Sequence, residues 1–348
     1  MMTASGEPTR KVRSQSELAR HLGLSDWTVS RAINGHPAVK ESTRRRVLEA
    51  MSELGFQSDP MARGLRGKRT GLIGISFNEL CNSILLEKLA SFEDFLRENG
   101  LRSLLAFTAQ DEATELRVIA DFRRMRVDAM VLLQSILSPA KSARVLAGVK
   151  SVHVDPMHLQ KSSMAIVDRN RGVELLVDHL VELGHRRFGT IGILEHNAWR
   201  QPGLLKALRR HGLDPRRHLK QYPPQEDNNL SYPMGTHGAQ QVVADPDRPS
   251  ALIAINDRVA LAAAQYLTAH GIDVPGDCSV TGFDHLEIAR HLHPTLTTID
   301  HQPQRLMEAA GHLLLEQLKD DATGRRAKSR LIPPVLVVGE STGPYRGR

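Results

Sequence analysis

Two rhythms of hydrophobic and polar positions divide the sequence. Up to about residue 57, apolar residues recur in three short sets: Leu18, Ala19 and Leu22; Val29, Ala32 and Ile33; and Val47, Leu48, Met51 and Leu54. Spacing of three and four puts each set on one helical face and predicts three short helices. The punctuation agrees: Ser14 and Glu17 have capping-box spacing, Gly23 permits a tight turn and Ser25 can cap the second helix. Asn34-Gly35 then ends that helix, and Gly55 stops the third. Two short helices across a tight turn read as a helix-turn-helix.

From Gly71 the rhythm changes. Strand-like runs GLIGISF, RSLLAF, DAMVLLQ, RFGTIGIL, ALIAIN and CSVTGF alternate with amphipathic helices predicted over 84–99, 112–125, 170–183, 199–211 and 257–270. This is the pattern of parallel strands with crossover helices. There is too much of it for one sheet of usual size. Two sheets side by side would form a cleft between lobes, with ligands at the carboxyl ends of the strands. Between the two rhythms, Asp59-Pro60 has the start signal of a helix too short to be stable alone.

A chain of 348 residues can hold two or three domains with a substantial core. No apolar run approaches the roughly 18 residues of a membrane span, and the absence of an apolar signal region at the N-terminus leads us to expect a cytoplasmic protein. Cys81 and Cys278, far apart, suggest no disulfide framework. Charge is more informative: residues 1–70 hold 13 Lys/Arg against 7 Asp/Glu, whereas the rest of the chain is nearly balanced, 33 against 32. A basic excess confined to the helix-turn-helix points to phosphate binding.

On the second helix of that motif, Asp26, Trp27, Thr28 and Arg31 occupy the first exposed turns, where a recognition helix carries its base-reading side chains. Arg31 suits guanine N7 and O6, Asp26 could accept from cytosine N4, and Trp27 could pack on a thymine methyl. The alternatives are a core role for Trp27 and a helix-dipole role for Asp26. No G-x-S-x-G, H-E-x-x-H, Walker or C-x-x-C motif appears, and His291-Leu292-His293 lacks spaced carboxylate or thiolate partners. We therefore expect no enzyme activity, no catalytic residue, no metal site and no cofactor beyond a small-molecule effector. A transport-type binding protein is disfavoured by the basic head.

The run LARHLGLSDWTVSRAINGHPAVKESTRRRVLEAMSELGF, followed by DPMARGL and GKRTGLIGI, resembles the DNA-binding head and hinge of the lactose/galactose repressor family, and the resemblance continues to the chain end. It implies an α plus α/β fold: a three-helix head over 12–57, a hinge helix and linker over 58–70, and a two-lobed effector-binding and dimerisation domain over 71–345 resembling periplasmic binding proteins. The lobes would take 71–168 plus 300–325, and 169–299 plus 326–345, with three crossings. By the same resemblance Ser25, Asp26, Trp27, Thr28, Ser30, Arg31 and Asn34 contact DNA, Thr28 and Ser30 at phosphates. Ala62 and Leu65 lie in the hinge, with Leu65 as an apolar wedge in the minor groove. Relatives commonly have Asn before the hinge Pro and a better helix former in place of Gly64.

The resemblance also implies effector contacts at Asn78, Asn82, Asp155, Arg200, Asn256 and Asp284, a set of acceptors and one donor fork that fits a polyol. Asp257, by contrast, reads as a helix cap. Asp155 and Asp284 adjoin loops, where Asp is common, and Arg200 could be a surface ion pair. The loop from Asn78 to Ser83 lacks the Pro and two aromatics of many relatives. Near Gly238 stand Tyr232 and Pro233 where an aromatic is expected, and Gly339 replaces a frequent Arg. These departures suggest a smaller or more polar ligand. The function implied is an effector-controlled, sequence-specific transcription regulator of the repressor type, a homodimer on palindromic double-stranded operator DNA with no membrane partner.

Overall fold

The computed structural model describes residues 12, 14–33, 38–56, 69–80, 83–193, 197–224, 231–291, 293–319 and 327–347. Asn34, Ala62, Leu65, Cys81, Asn82 and nearly all of the predicted hinge lie outside the described residues. The chain divides into two compact units, Met1–Leu72 and Ile73–Arg348.

The first unit holds α1 (Gln15–Leu22), α2 (Asp26–Ile33) and α3 (Glu41–Glu53). Ser14 Oγ accepts from the Glu17 amide at 3.1 Å, and Gly23 closes α1 at φ +63°, a conformation that costs glycine least. The core is small: Leu18, Ala19, Leu22, Val29, Ala32, Val47, Ala50 and Phe56. One expectation is corrected here. Leu48 is 45% exposed, because the inward face of α3 runs through Val47 and Ala50, and residue 48 lies about 100° further round. Arg46 Nη2 donates to the Leu22 carbonyl at 2.8 Å and ties α3 to the end of α1.

In the second unit the strands are β1 (Leu72–Phe77), β2 (Arg102–Phe107), β3 (Ala129–Leu133), β4 (Ser151–Val154), β5 (Ser163–Val167), β6 (Phe188–Ile191), β7 (Leu219–Tyr222), β8 (Ala251–Ala254), β9 (Ser279–Thr281), β10 (Thr298–Asp300), β11 (Ser329–Ile332) and β12 (Val335–Val337). Helices are α4 (Ser83–Glu98), α5 (Glu112–Arg124), α6 (Pro139–Val145), α7 (Arg169–Glu182), α8 (Gln201–Arg210), α9 (Pro215–His218), α10 (Tyr232–Ala244), α11 (Asp257–Ala269), α12 (Glu287–His291) and α13 (Pro303–Lys319). Two main sheets result, one of six strands ordered β11-β5-β4-β3-β1-β2 and one of four ordered β7-β6-β8-β9.

Helices cover both faces of the first sheet. Phe92 and Leu96 of α4 pack with Leu313 and Leu314 of α13 on one side, while Ile119 and Phe122 of α5 join Met130 and Leu132 on the other. A larger core fills the second lobe around Val173, Leu204, Ala239 and Val259. Fully buried strands explain the continuous apolar runs seen in the sequence.

The lobe boundaries differ from expectation at the C-terminus. Residues 329–332 extend the first sheet, pairing parallel with β5 from Ser329 against Met164 to Ile332 against Val167. Only afterwards does the chain return, as β12 antiparallel to β10. The crossings fall between β5 and α7, between β10 and α13, and between β11 and β12. The third comes after Ile332, not before 326, because Ile332 completes the apolar core of the first lobe.

Candidate functional site

On the head, the start of α2 is built by its own side chains. Ser25 Oγ accepts from the Thr28 amide at 3.1 Å and lies 2.8 Å from Thr28 Oγ1. Asp26 Oδ2 accepts from Ser16 Oγ at 2.6 Å, and its carbonyl accepts from Gln15 Nε2 at 2.9 Å. Asp26 thus clamps α1 to α2, a positioning task absent from the sequence reading. Val29 and Ala32 turn into the core, which leaves Trp27 facing out, 62% exposed. The core reading of Trp27 is therefore wrong. The Arg31 guanidinium carbon sits 3.6 Å from the centre of the Trp27 ring, one turn away. This cation–π stack holds the flat Arg fork on the exposed face of α2.

In the second unit, the polar side chains gather at the carboxyl ends of strands. Asn78 follows β1 and donates through Nδ2 to the carbonyl of Gln134, which follows β3, at 3.0 Å. These strands flank the point where the order of the first sheet reverses, the usual place for a ligand. The side-chain oxygens of Asn78 and Gln134 are both buried without a hydrogen-bond donor.

Asp155 follows β4 and is buried at φ +47°. Its Oδ2 accepts from Lys88 Nζ at 2.6 Å, and its Oδ1 from Arg169 Nη1 at 3.1 Å and the Val167 amide at 3.0 Å. Burial opposes the charge on Asp155, but Arg169 and Lys88 hold its carboxyl well below the usual carboxylate range. With both oxygens accepting, Asp155 is the anchor of two cations, a role absent from the sequence reading.

From the second lobe, Arg200 lies just before α8, its guanidinium carbon 4.5 Å from the Phe283 ring centre and its buried Nε without a partner. Burial, with Arg169 nearby, lowers its pKa to about 10. Arg200 is no surface ion pair. Asp284 follows β9 at φ +141°, with Oδ1 3.2 Å from His301 Nε2. Burial, and then the neighbouring Asp257, raise the Asp284 carboxyl; burial, and then Lys88 and Arg169, push His301 well below its ordinary value. Positive φ at both aspartates is local strain of the kind that collects at functional sites.

The capping role read for Asp257 falls to its neighbour. Asn256 Oδ1 accepts from the Val259 amide at 2.9 Å, so Asn256 is the cap of α11. Asp257 is buried, accepting from the Leu286 amide at 2.7 Å and from the Thr298 hydroxyl. A cap must lie outside the helix in extended backbone, and Asn256 does so at φ −154°.

Further contacts join the lobes: Arg258 Nη1 lies 3.3 Å from Glu79 Oε1, and Trp199 Nε1 donates to the Met157 carbonyl at 3.1 Å. Between α7 and α8, Asn170 Oδ1 accepts from the Gly203 amide at 2.8 Å, and a Cβ at 203 would stand 2.2 Å from the Asn170 carbonyl oxygen. Sequence reasoning missed Lys88, Arg169 and His301. Lys88 left one legible sign: it is a lysine at a buried-stripe position of α4, three residues after Leu85 and four before Phe92. Among the described residues no group of three or more His, Cys, Asp or Glu could hold a metal ion, and His293 lies 3.4 Å from Glu340. Among the same residues no helix is long and apolar enough to cross a membrane.

A helix-turn-helix unit with an exposed Trp–Arg pair, joined in one chain to a two-lobed α/β unit with a charged cleft, defines a DNA-binding regulator. Comparison with known proteins agrees. Residues 16–59 match the bacterial regulatory proteins of the lacI family, and residues 177–342 match the periplasmic binding protein-like domain. The head is that of the lacI family of bacterial regulatory proteins, and regulators with such heads are similar to the chain along nearly its whole length. The chain is 28% identical over 342 residues to the HTH-type transcriptional regulator DegA of Bacillus subtilis, covering 94% of this chain and 97% of that protein. With the HTH-type transcriptional repressor PurR of Aliivibrio salmonicida it shares 28% over 321 residues, 89% and 93% of the two chains. In fold it is similar to the Lac repressor dimer bound to operator and the anti-inducer ONPF, with a TM-score of 0.81 at 24% identity over 95% of this chain and 99% of that one.

Proposed function

We propose that this protein is a homodimeric repressor that reads a palindromic operator with α2 and is switched by a small polar effector held between its lobes. The observation that carries the DNA reading is the outward Trp27–Arg31 stack on a helix whose opposite face is core. Ser25, Thr28 and Ser30 sit beside that stack as candidate phosphate contacts, and Arg31 as the base reader. Effector binding is supported by Arg200 at the start of α8, and by the donorless oxygens of Asn78 and Gln134 and the Asp284 carboxyl at strand ends. A ligand that favours one arrangement of the lobes would shift the population of DNA-binding dimers, and operator would shift effector affinity by the same factor. The Lac repressor structure is a dimer on operator with a small molecule, and the same assembly is proposed for this chain.

The test begins with selection of duplexes from a random pool by the purified protein at a stated near-physiological salt. A palindrome is expected. Arg31→Ala should then weaken binding to that palindrome by at least about tenfold per half-site, while binding to random DNA changes little. Unchanged affinity for the palindrome would remove α2 from its reading role.

A further inference from the structure

We propose that the cleft selects a small polyhydroxy carboxylate, and that Lys88 and Arg169 set its demand for negative charge. The inference rests on the reading that the cleft binds an effector, and it adds the chemical class. Asp155 has two oxygens, and Lys88 and Arg169 take one each, both cations with nearly buried side chains. One carboxylate therefore faces two cations. A third, Arg200, has no carboxylate within ion-pair distance among the described residues, and its buried Nε has no acceptor. It also stands at the N-terminus of the ten-residue α8, where the helix dipole adds to the positive field.

The remaining titratable groups do not cancel this surplus. His301 is kept neutral by burial. Asp284 and Asp257 are raised by burial, and Asp257 raises Asp284 further, so the two together hold less than two negative charges. Glu79 is paired with Arg258. A buried excess of cations is costly unless an anion joins it. The surplus lies between zero and two charges, a range that a single carboxylate fits and a doubly charged phosphate exceeds. The donorless oxygens of Asn78 and Gln134 complete the description, since acceptors without donors suit hydroxyl groups.

The experiment follows thermal unfolding of the full-length protein with five probes: D-gluconate, D-galacturonate, D-glucose, D-galactose and D-glucose 6-phosphate. At saturating concentration a sugar acid should raise Tm by about 5 °C or more, with the neutral sugars giving no comparable shift. Lys88→Met should then reduce the preference for acid over neutral sugar by about tenfold or more. Arg169→Gln is measured alongside, so that a folding failure of Lys88→Met leaves the inference open to refutation. Stabilisation by a neutral sugar as large as by the acids would overturn the anionic class. Stabilisation by the phosphate alone would overturn the carboxylate. No shift with any probe, in protein that still binds its selected palindrome, would overturn the effector reading itself.

Discussion

The head and the cleft each carry one of the chain's two tryptophans, and they use it in opposite ways. Trp27 stands in solvent with Arg31 stacked on it, over a core of eight small and medium side chains. Trp199 bridges the lobes, its Nε1 bonded to the Met157 carbonyl and its ring 5.8 Å from the Arg169 guanidinium carbon. Functional side chains of the head cost the fold almost nothing, because they never leave water. Those of the cleft are desolvated charges whose stability depends on one another. A surface that reads DNA can therefore be changed at little cost to the fold, whereas removing a charge from the cleft changes the balance of the partners it leaves.

That contrast can be broken in measurable steps. The largest effect is expected from Asp155→Asn, which leaves Lys88 and Arg169 buried without their counter-ion and should cost about 3–5 kcal/mol. Urea unfolding of a Trp27→Phe background, in which Trp199 is the only tryptophan, would show the loss. An equal loss reported by Trp27 in a Trp199→Phe background would mean that the two regions unfold together.

A second step uses pH. His153 is buried with Nε2 3.1 Å from Ser142 Oγ, and burial lowers its pKa from 6.5 to about 4. The unfolded chain binds a proton here that the folded chain refuses, so stability rises with pH between about 4 and 6.5. On acidification through that window roughly 3 kcal/mol should be lost. His153→Gln should flatten this slope, seen as a smaller pH dependence of Tm; an unchanged slope would remove His153 from the account. The smallest effect is expected on the head, where Ser14→Ala removes the cap of α1 and should cost about 1 kcal/mol, visible to Trp27 fluorescence and not to Trp199.

The head was legible almost residue by residue because its signals are local: a cap three residues from its acceptor, a turn glycine, an apolar period. Leu48 failed because α3 turns Val47 and Ala50 inward instead, and a small residue such as Ala50 weighs little in a hydrophobic pattern. In the larger unit the alternation of strand and helix was readable, but α10 was not. Pro233, Gly235 and Gly238 look like a loop, yet the glycines are close contacts, with Gly238 against Ile191 and Gly235 against the Val259 carbonyl. The cleft was half legible. Asn78 and Asp284 stand at strand tips as expected and Arg200 at the start of α8, whereas the Lys88–Asp155–Arg169 cluster joins residues 67 and 14 positions apart, and no local pattern encodes such a meeting.

Gly203 carries a consequence of its own. It lets α8 press against the start of α7, with its amide bonded to Asn170, the residue after Arg169, and three positions beyond Arg200. The two guanidinium groups are thus mounted on a common jig whose spacing is set by a residue with no side chain. One methyl group added at 203 would collide with the Asn170 carbonyl and push the mounts apart. Ligand preference in this protein can consequently be retuned from a position that bears no charge, makes no side-chain hydrogen bond and need never touch the ligand.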